Sequence, residues 1–258
     1  MTNKKVCIFD LYGTLIDIYT DEDDPRLWSV LASFYSRYGA DYSPDALKSA
    51  YHRTVREELE TVRRTSFVRY ADVPLENVFW RLYTEGKVRH RAELSVREEQ
   101  KTVWTAAAAN LFRELSMRRF SVFPEVHETL KALKDRGASL CLLSNAQRVF
   151  SLPEIEKAGL REYFDAIYLS SDYRMAKPEP GFLKTLLRER RLDPADCVMI
   201  GNDPKSDMEI ALSCGVRGVL LNTDGYGEGE LDAMVRGTGI LAVRSGRIRE
   251  LTEIGLFS

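Results

Sequence analysis

The segment Val6-Cys7-Ile8-Phe9-Asp10-Leu11-Tyr12-Gly13-Thr14-Leu15 joins a short apolar run to an aspartate and a Gly-Thr turn. A continuous apolar run of this length is typical of a buried parallel strand. The pattern therefore predicts that the Asp10 carboxylate lies at the C-terminal end of a strand, which is where open α/β sheets hold their ligands.

Four further apolar runs have the same form and alternate with helical patterns. They are Ser139–Leu143, Ala166–Leu169, Cys197–Ile200 and Gly218–Leu221. Short apolar runs separated by helices are typical of βαβ units, in which the strands are parallel and both faces of the sheet are covered. We therefore predict an α/β fold with a doubly wound, Rossmann-like parallel sheet.

Helix start and stop signals fit this arrangement. Pro124 and Gly137 bracket one helical segment. The Ser-Asp-Met-Glu sequence of Ser206–Glu209 has the form of a capping box, which predicts the start of another helix, and Gly215 is expected to end it.

The interval between the first two predicted strands is too long for a crossover connection. From about Asp17 to Phe120 it shows helical periodicity and no strong strand signal. We expect residues 17–120 to form a helical cap domain, inserted into a core domain of residues 1–16 and 121–258. The cap carries arginines interleaved with glutamates: Arg53, Arg56, Arg63, Arg64 and Arg69. Such a mixture favours a solvated helix face, and the alternative is that one or two arginines contact an anionic substrate.

Composition excludes several classes of partner. The chain has 258 residues, 44% of them hydrophobic and 29% charged, and a formal net charge of −2. This balance gives no electrostatic reason to expect nucleic acid or an anionic membrane as a partner. No apolar run approaches the length of about 18 residues that spans a bilayer, and no signal-peptide pattern is present. We expect a cytoplasmic protein that is a monomer or a homodimer.

Four polar segments follow predicted strands, so they should meet at one edge of the sheet. Asp10–Thr14 follows the first strand, Ser144-Asn145 follows the second, Lys177-Pro178 lies beyond the third, and Gly201–Asp203 with Asp207 follows the fourth. Each segment alone is common in turns and helix caps. The four segments in this order form a specific signal.

This order of segments resembles that of the haloacid dehalogenase (HAD) superfamily of aspartate-nucleophile hydrolases, and the helical insertion is similar to the cap of that superfamily. The resemblance implies that Asp10 is the nucleophile and forms a covalent aspartyl intermediate. It also implies that Lys177 supplies a fixed positive charge beside the nucleophile and an anionic substrate.

The resemblance further implies a cradle for the substrate anion. Thr14 and Ser144 would donate hydroxyl hydrogen bonds, and the backbone N–H groups of the turn at residues 11–13 would add to them. Gly13 permits a close approach of the backbone. Asn145 would orient the substrate or donate to a carboxylate.

Asp203 and Asp207 add two carboxylates to that of Asp10, and one lysine does not neutralise three carboxylates. A hard divalent cation such as Mg²⁺ would resolve this excess of charge. The resemblance implies the same cofactor, with Asp10, the backbone carbonyl of Tyr12 and Asp203 as ligands and with Asp207 in support. In an alternative register, Asn202 takes the place of Asp203.

Tyr12 departs from the pattern of most HAD phosphatases, which have an aspartate there. That aspartate protonates the leaving oxygen and then deprotonates the attacking water, and such help is worth roughly 10²–10⁴ in rate. A tyrosine, with an ordinary pKa of about 10, donates a proton but is a poor base at neutral pH. The L-2-haloacid dehalogenases of the superfamily carry an Asp-Leu-Tyr-Gly-Thr segment like this one, and their halide leaves without a proton.

Three functions stay open at this point. We favour Mg²⁺-dependent hydrolysis of a phosphate ester of a small anionic metabolite, because Asp203 would repel the carboxylate of a 2-haloacid. The alternatives are a 2-haloacid dehalogenase-like hydrolase and a non-catalytic binding module. The histidines, His52, His90 and His127, lie outside the four segments and give little support for a Ser-His-Asp triad or a zinc site.

Overall fold

A computed structural model of the chain describes residues 5–88 and 96–255. The strands are β1 (Val6–Phe9), β2 (Ile16–Thr20), β3 (Met117–Val122), β4 (Ser139–Ser144), β5 (Ala166–Leu169), β6 (Cys197–Gly201), β7 (Arg217–Leu221) and β8 (Leu241–Val243). Six of them form a parallel sheet in the order β5-β4-β1-β6-β7-β8. Of the predicted positions, His90 lies outside the described residues.

Helices cover both faces of this sheet. The helices are α1 (Pro25–Arg37), α2 (Pro44–Ser66), α3 (Leu75–Glu85), α4 (Lys101–Ser116), α5 (Val126–Asp135), α6 (Arg148–Lys157), α7 (Ser170–Tyr173), α8 (Pro180–Arg190), α9 (Glu209–Ser213) and α10 (Glu228–Val235). Along β1, Cys7 and Phe9 join the apolar cluster that contains α5 and α6, whereas Val6 and Ile8 join the cluster that contains α8 and α9. A strand buried on both faces needs an unbroken apolar run, and this explains the form of the predicted strands.

The predicted fold class is confirmed, and each of the five predicted strands is present. Two features of the sheet region were missed. β8 is a three-residue edge strand whose Leu241 is exposed, so its sequence carries little apolar signal. A short edge strand of this kind is hard to distinguish from a loop by pattern alone.

β2 and β3 correct the expectation that no strand lies between residues 17 and 120. They pair antiparallel, with Ile16 opposite Val122 and Ile18 opposite Phe120. Exposed residues of β3 are polar, but β2 exposes Tyr19 at 56%. Asp17 forms an ion pair with Arg119 at 2.7 Å. Because a two-stranded ribbon buries one face at most, its alternating sequence lacks the continuous apolar run that marks the central strands. The ribbon connects the sheet to helices α1–α4.

The predicted capping box at Ser206–Glu209 is also wrong by three residues. A π-helical turn at Pro204–Met208 precedes α9, and Asp203 is its N-cap, since the Asp203 carboxylate accepts a hydrogen bond from the Lys205 N–H. The Ser206 hydroxyl donates to the other oxygen of the same carboxylate. Aspartate is at least as good an N-cap as serine, and here it takes the position.

Helices α1–α4 share an apolar core of their own, which is rich in aromatic rings. Trp28, Tyr35, Phe79 and Phe112 are fully buried in it. Phe150 of α6 stacks on Phe112 with 6.4 Å between ring centroids, so this group of helices rests on α6. The assignment of residues 17–120 to a separate cap domain stays a prediction. No helix in the described ranges combines the length and the apolarity needed to cross a membrane.

Candidate active site

Asp10 lies directly after β1 and its position is set by the neighbouring strand. Its backbone N–H donates to the Ile200 carbonyl at 2.9 Å, which extends the β1–β6 pairing by one residue. The residue is 6% exposed. Hydrogen-bonded pairing therefore places a buried carboxylate at the carboxyl edge of the sheet, as predicted from the apolar run before it.

Lys177 is buried with its ammonium group between two carboxylates. Its Nζ lies 2.5 Å from Asp10 Oδ1 and 2.6 Å from Asp207 Oδ1. Asp207 is also buried, and its Oδ2 accepts the backbone N–H of Asp203 at 3.0 Å. Three predicted site residues from three different segments thus meet at one point.

The charges of this group affect one another strongly because little water reaches them. Burial lowers the pKa of Lys177, but the attraction of Asp10 and Asp207 outweighs burial and the pKa is raised. Burial raises the pKa of Asp207 to about 7, and the charge of Asp10 adds to this rise while Lys177 opposes it. With all three groups ionised, the cluster carries a net charge of −1.

The Asn145 side chain forms two hydrogen bonds with the backbone of Lys177. Its Nδ2 donates to the Lys177 carbonyl at 3.0 Å, and its Oδ1 accepts the Lys177 N–H at 2.6 Å. Both ends of the amide are therefore used by the backbone of one residue. The structure thus gives Asn145 a contact with Lys177, whereas its predicted contact with substrate stays a prediction.

The two predicted hydroxyl donors both contact the aspartate. Ser144 Oγ donates to Asp10 Oδ1 at 2.9 Å, and Thr14 Oγ1 lies 3.4 Å from Asp10 Oδ2. Thr14 Oγ1 also donates to Asn202 Oδ1 at 3.0 Å. Of the two carboxylate oxygens, Oδ1 is thus held by Ser144 and Lys177, and Oδ2 has the weaker contact.

Besides Asp207, the fourth segment places Asn202 next to this group, where Asn202 contacts Thr14. Besides Thr14, it contacts Asp224, whose Oδ2 accepts a hydrogen bond from Asn202 Nδ2 at 3.0 Å. A hydroxyl donor on one side and a carboxylate acceptor on the other permit one orientation of the amide. A Cβ added to Gly13 would lie 2.5 Å from Asn202 Nδ2, so the glycine makes room for this side chain.

The Asp203 carboxylate forms the helix cap described above. One of its oxygens accepts a hydrogen bond from the Lys205 N–H at 2.8 Å, and the other accepts one from the Ser206 hydroxyl at 2.9 Å. Within residues 5–88 and 96–255, no group of three or more His, Cys, Asp or Glu side chains is arranged to hold a metal ion. The structure therefore does not bring Asp203 together with Asp10 and Asp207 in the way that the sequence predicted.

Tyr12 directs its hydroxyl away from the aspartate. The hydroxyl donates a short hydrogen bond to Glu154 Oε2 and contacts Ser151 Oγ at 2.9 Å. Burial raises the pKa of Tyr12, the negative charge of Glu154 raises it further, and the nearby Arg113 partly opposes both. In this arrangement Tyr12 is a weaker acid than an ordinary tyrosine.

A cleft of about 370 Å³ lies between the helical region and the sheet edge, next to Tyr12 and Asn145, and Asp10, Lys177 and Asp207 are not among its lining residues. It is lined by Tyr12, Ile18, Glu22, Ala71, Asp72, Leu75, Arg113, Asn145, Ala146, Gln147, Phe150, Ser151 and Ala176. Three charged members, Glu22, Asp72 and Arg113, were missed from the sequence because each lies in an ordinary helical or loop context. The five arginines considered above are not among the lining residues.

One wall of the cleft is a loop that pairs with the chain just before Lys177. Ala71 forms an antiparallel bridge with Met175, and the Ala176 N–H donates to the Tyr70 carbonyl at 2.8 Å. Asp72 accepts hydrogen bonds from Ser170 Oγ at 2.5 Å and from Gln147 Nε2 at 3.1 Å. Burial raises the pKa of Asp72.

A parallel sheet with an aspartate and a lysine buried at its carboxyl edge, beside the helices that the β2–β3 ribbon joins to it, is the arrangement expected of the aspartate-nucleophile hydrolases that the sequence resembles. The sequence profile of the haloacid dehalogenase-like hydrolases matches residues 4–215. The chain belongs to that family, as its resemblance predicted.

Three proteins with sequences similar to this chain are named as phosphatases. Phosphoserine phosphatase of Thermus thermophilus is 30% identical over 112 residues, which are 43% of this chain and 44% of that enzyme. Phosphoglycolate phosphatase 1 of Pseudomonas aeruginosa is 28% identical over 228 residues, which are 87% of this chain and 71% of that enzyme. Phosphoglycolate phosphatase of Vibrio vulnificus is 29% identical over 121 residues, 47% of this chain and 52% of that enzyme. The chain thus spans about half the length of two of these relatives.

Solved structures show the same fold. A 2-haloacid dehalogenase from Pseudomonas syringae superposes with a TM-score of 0.63 at 18% identity, over 97% of both chains. A predicted phosphoglycolate phosphatase from Haemophilus somnus superposes with a TM-score of 0.54 at 18% identity, over 98% of this chain and 99% of that one.

A substitution at Gly201 tests how closely the Asp207 carboxylate must be packed beside Asp10. A Cβ at this position would overlap the Asp207 carboxylate. Since a displacement of about 1 Å at a catalytic group can cost about 100-fold in rate, we expect Gly201→Ala to lower kcat by that order. The control is Gly229→Ala, where the new Cβ meets open space. Equal activity of both variants in a hydrolysis assay would contradict the prediction.

A substitution at Lys177 tests whether its positive charge is needed to balance the carboxylates of Asp10 and Asp207. Lys177→Met leaves two buried carboxylates without a counter-ion, and we expect a loss of about 3–5 kcal/mol in the free energy of unfolding. Asp10→Asn removes one of the two competing negative charges, so it should cost far less. Urea unfolding of both variants measures the difference, and a smaller loss for Lys177→Met than for Asp10→Asn would refute this account.

Proposed function

We propose that the protein is a phosphatase that hydrolyses a small phosphate ester, with Asp10 as the nucleophile. The observation that carries the proposal is the buried contact of Lys177 with Asp10 and Asp207. The relatives named above support phosphate esters as the substrate class. We also propose that it acts in the cytoplasm as a monomer or a homodimer, on a small metabolite rather than on nucleic acid or a membrane.

The contacts of Asp10 suggest which oxygen attacks. Lys177 and Ser144 both bind Oδ1, whereas Oδ2 has a single long contact with Thr14. Oδ2 is therefore the oxygen that forms the new bond to phosphorus while the bond from phosphorus to the ester oxygen breaks. The leaving group departs as an anion and takes its proton from solvent water. Lys177 stabilises the charge on the phosphoryl oxygens, and water then hydrolyses the aspartyl phosphate.

A magnesium ion fits the charge and the donor atoms of this site. The cluster of Asp10, Asp207 and Lys177 is one negative charge in excess, and carboxylate, amide and carbonyl oxygens are the ligands that Mg²⁺ prefers. We propose that Asp10, the Tyr12 backbone carbonyl and Asn202 hold the ion, with Asp207 in support. When bound, it would neutralise charge on the phosphoryl group. Asp203 would contribute if its carboxylate left the helix cap.

Two observations favour the dehalogenase alternative. Asp203 was expected to repel a 2-haloacid carboxylate, but its carboxylate is occupied in a helix cap. The Tyr12 hydroxyl is likewise unsuited to the proton transfer that an alkyl phosphate needs. Release of chloride from 2-chloropropionate without added metal would favour this alternative over the phosphatase.

Turnover of p-nitrophenyl phosphate in Mg²⁺ tests the proposal. We expect hydrolysis by the natural chain and none by Asp10→Asn, since the amide is not a nucleophile. Asp135→Asn is the matched control, because Asp135 is exposed, pairs with Lys131 at 2.7 Å and is not part of the cleft. Hydrolysis that persists in Asp10→Asn would show that another residue attacks, and failure of the natural chain on a broad panel of phosphate esters would refute the function.

The position of Tyr12 leads to a second prediction. Because its hydroxyl is bound to Glu154, the leaving group receives little help from a proton donor at this position. Phosphate esters of acidic alcohols should therefore react faster than alkyl esters, by roughly the 10²–10⁴ that general acid catalysis supplies. A plot of log kcat against the pKa of the leaving group measures this, and a flat plot would show that another acid protonates the leaving oxygen.

A further inference from the structure

Three side chains from three separate elements meet behind the turn that follows the nucleophile. Glu154 of α6 receives the Tyr12 hydroxyl on Oε2. It also pairs with Arg113 of α4 through two hydrogen bonds, from Nε to Oε1 at 2.7 Å and from Nη2 to Oε2 at 3.1 Å. One carboxylate thus connects the nucleophile turn with a helix of the insertion.

The connection is largely buried, although Tyr12 and Arg113 also line the cleft. Glu154 is 6% exposed and the Arg113 side chain is 15% exposed. The Arg113 guanidinium also lies over the rings of Tyr12 and Phe150, at 5.6 and 5.2 Å from their centroids. Charge pairs are stronger in such surroundings, and removal of one partner leaves the other buried and unpaired.

Arg113 lies close to the ribbon that joins the sheet to helices α1–α4. It precedes the start of β3 at Met117 by four residues. A rotation of the helices about this ribbon would move Arg113 relative to α6, which belongs to the sheet side. The Arg113–Glu154 pair therefore forms only when α4 is seated on α6.

We propose that Glu154 is a positioning residue, and that the chain Tyr12–Glu154–Arg113 couples the seating of α4 to the shape of the turn at residues 11–13. The backbone of that turn borders the substrate, so the site is complete only when the helices are in place. The proposal rests on hydrolysis at Asp10 but not on the identity of the leaving group. It gives the tyrosine at position 12 a mechanical role in place of proton transfer.

Hydrogen exchange of the full-length protein tests the coupling independently of activity. Within the turn, the Gly13 N–H donates to Ile16, and the N–H groups of Leu15 and Ile16 donate to Leu11. We expect Arg113→Gln to speed the exchange of these amides by about tenfold, and Tyr12→Phe to do the same. Unchanged exchange of the turn in Arg113→Gln would overturn the proposal.

Kinetics provide the second readout. Each single variant should lower kcat for p-nitrophenyl phosphate by about tenfold with little change in KM, and the double variant should lose little more, because both break one chain. Arg113→Lys, which keeps the charge, should restore part of the rate. Losses that multiply in the double variant would show that the two residues act independently, and would overturn the coupling.

Arg81→Gln is the matched control for lost stability. Arg81 lies on α3 and pairs with Glu57, Glu58 and Glu85, away from the cleft. We expect it to leave both kcat and the exchange of the turn unchanged. If the rate falls in every variant, Arg81→Gln included, in proportion to its unfolding temperature, the contacts of Tyr12, Glu154 and Arg113 have only a structural role. If the natural chain hydrolyses no ester, the proposed function fails, and the exchange measurement still decides the coupling.

Discussion

The ammonium group of Lys177 between Asp10 and Asp207 is the interaction on which this site depends. Two carboxylates so close together in a buried place would each resist ionisation without it. The lysine is in turn fixed by both ends of the Asn145 side chain, and Gly201 leaves space for Asp207. The ends of the strands, the Asn145 amide and the absence of a Cβ at Gly201 therefore all keep the Lys177 ammonium group beside Asp10.

The sequence predicts well those parts of the structure that follow from short-range pattern. An apolar run that is buried on both faces has few alternatives, so β1 and the end of the strand at Asp10 were found correctly. Because parallel strands share an edge, the same pattern also indicated that Ser144 and Lys177 would approach Asp10. The β2–β3 ribbon has one buried face, and its weaker alternation gave no comparable signal.

Side-chain contacts that depend on the tertiary structure could not be predicted from the sequence. Whether Asn202 or Asp203 approaches the nucleophile depends on which one caps the following helix, and both are competent caps. Arg113 and Glu154 are 41 positions apart, and the helix that carries Glu154 has a weak apolar pattern interrupted by Pro153. Nothing local marks them as partners of Tyr12. The tyrosine at position 12 departs visibly from the phosphatase pattern. Its contacts, however, are with Glu154 and Arg113, which belong to no sequence motif.

The pairing of the 70–72 loop with residues 174–176 has a consequence for the modularity of the protein. The strand-like contact supports the chain immediately before Lys177, so part of the backbone framework of this lysine comes from the segment between β2 and β3. An insertion taken from a relative would have to supply an equivalent of Tyr70 and Ala71 at the same register. Exchange of this domain in evolution or in engineering is therefore limited by backbone hydrogen bonding, and the shape of the cleft is a separate requirement.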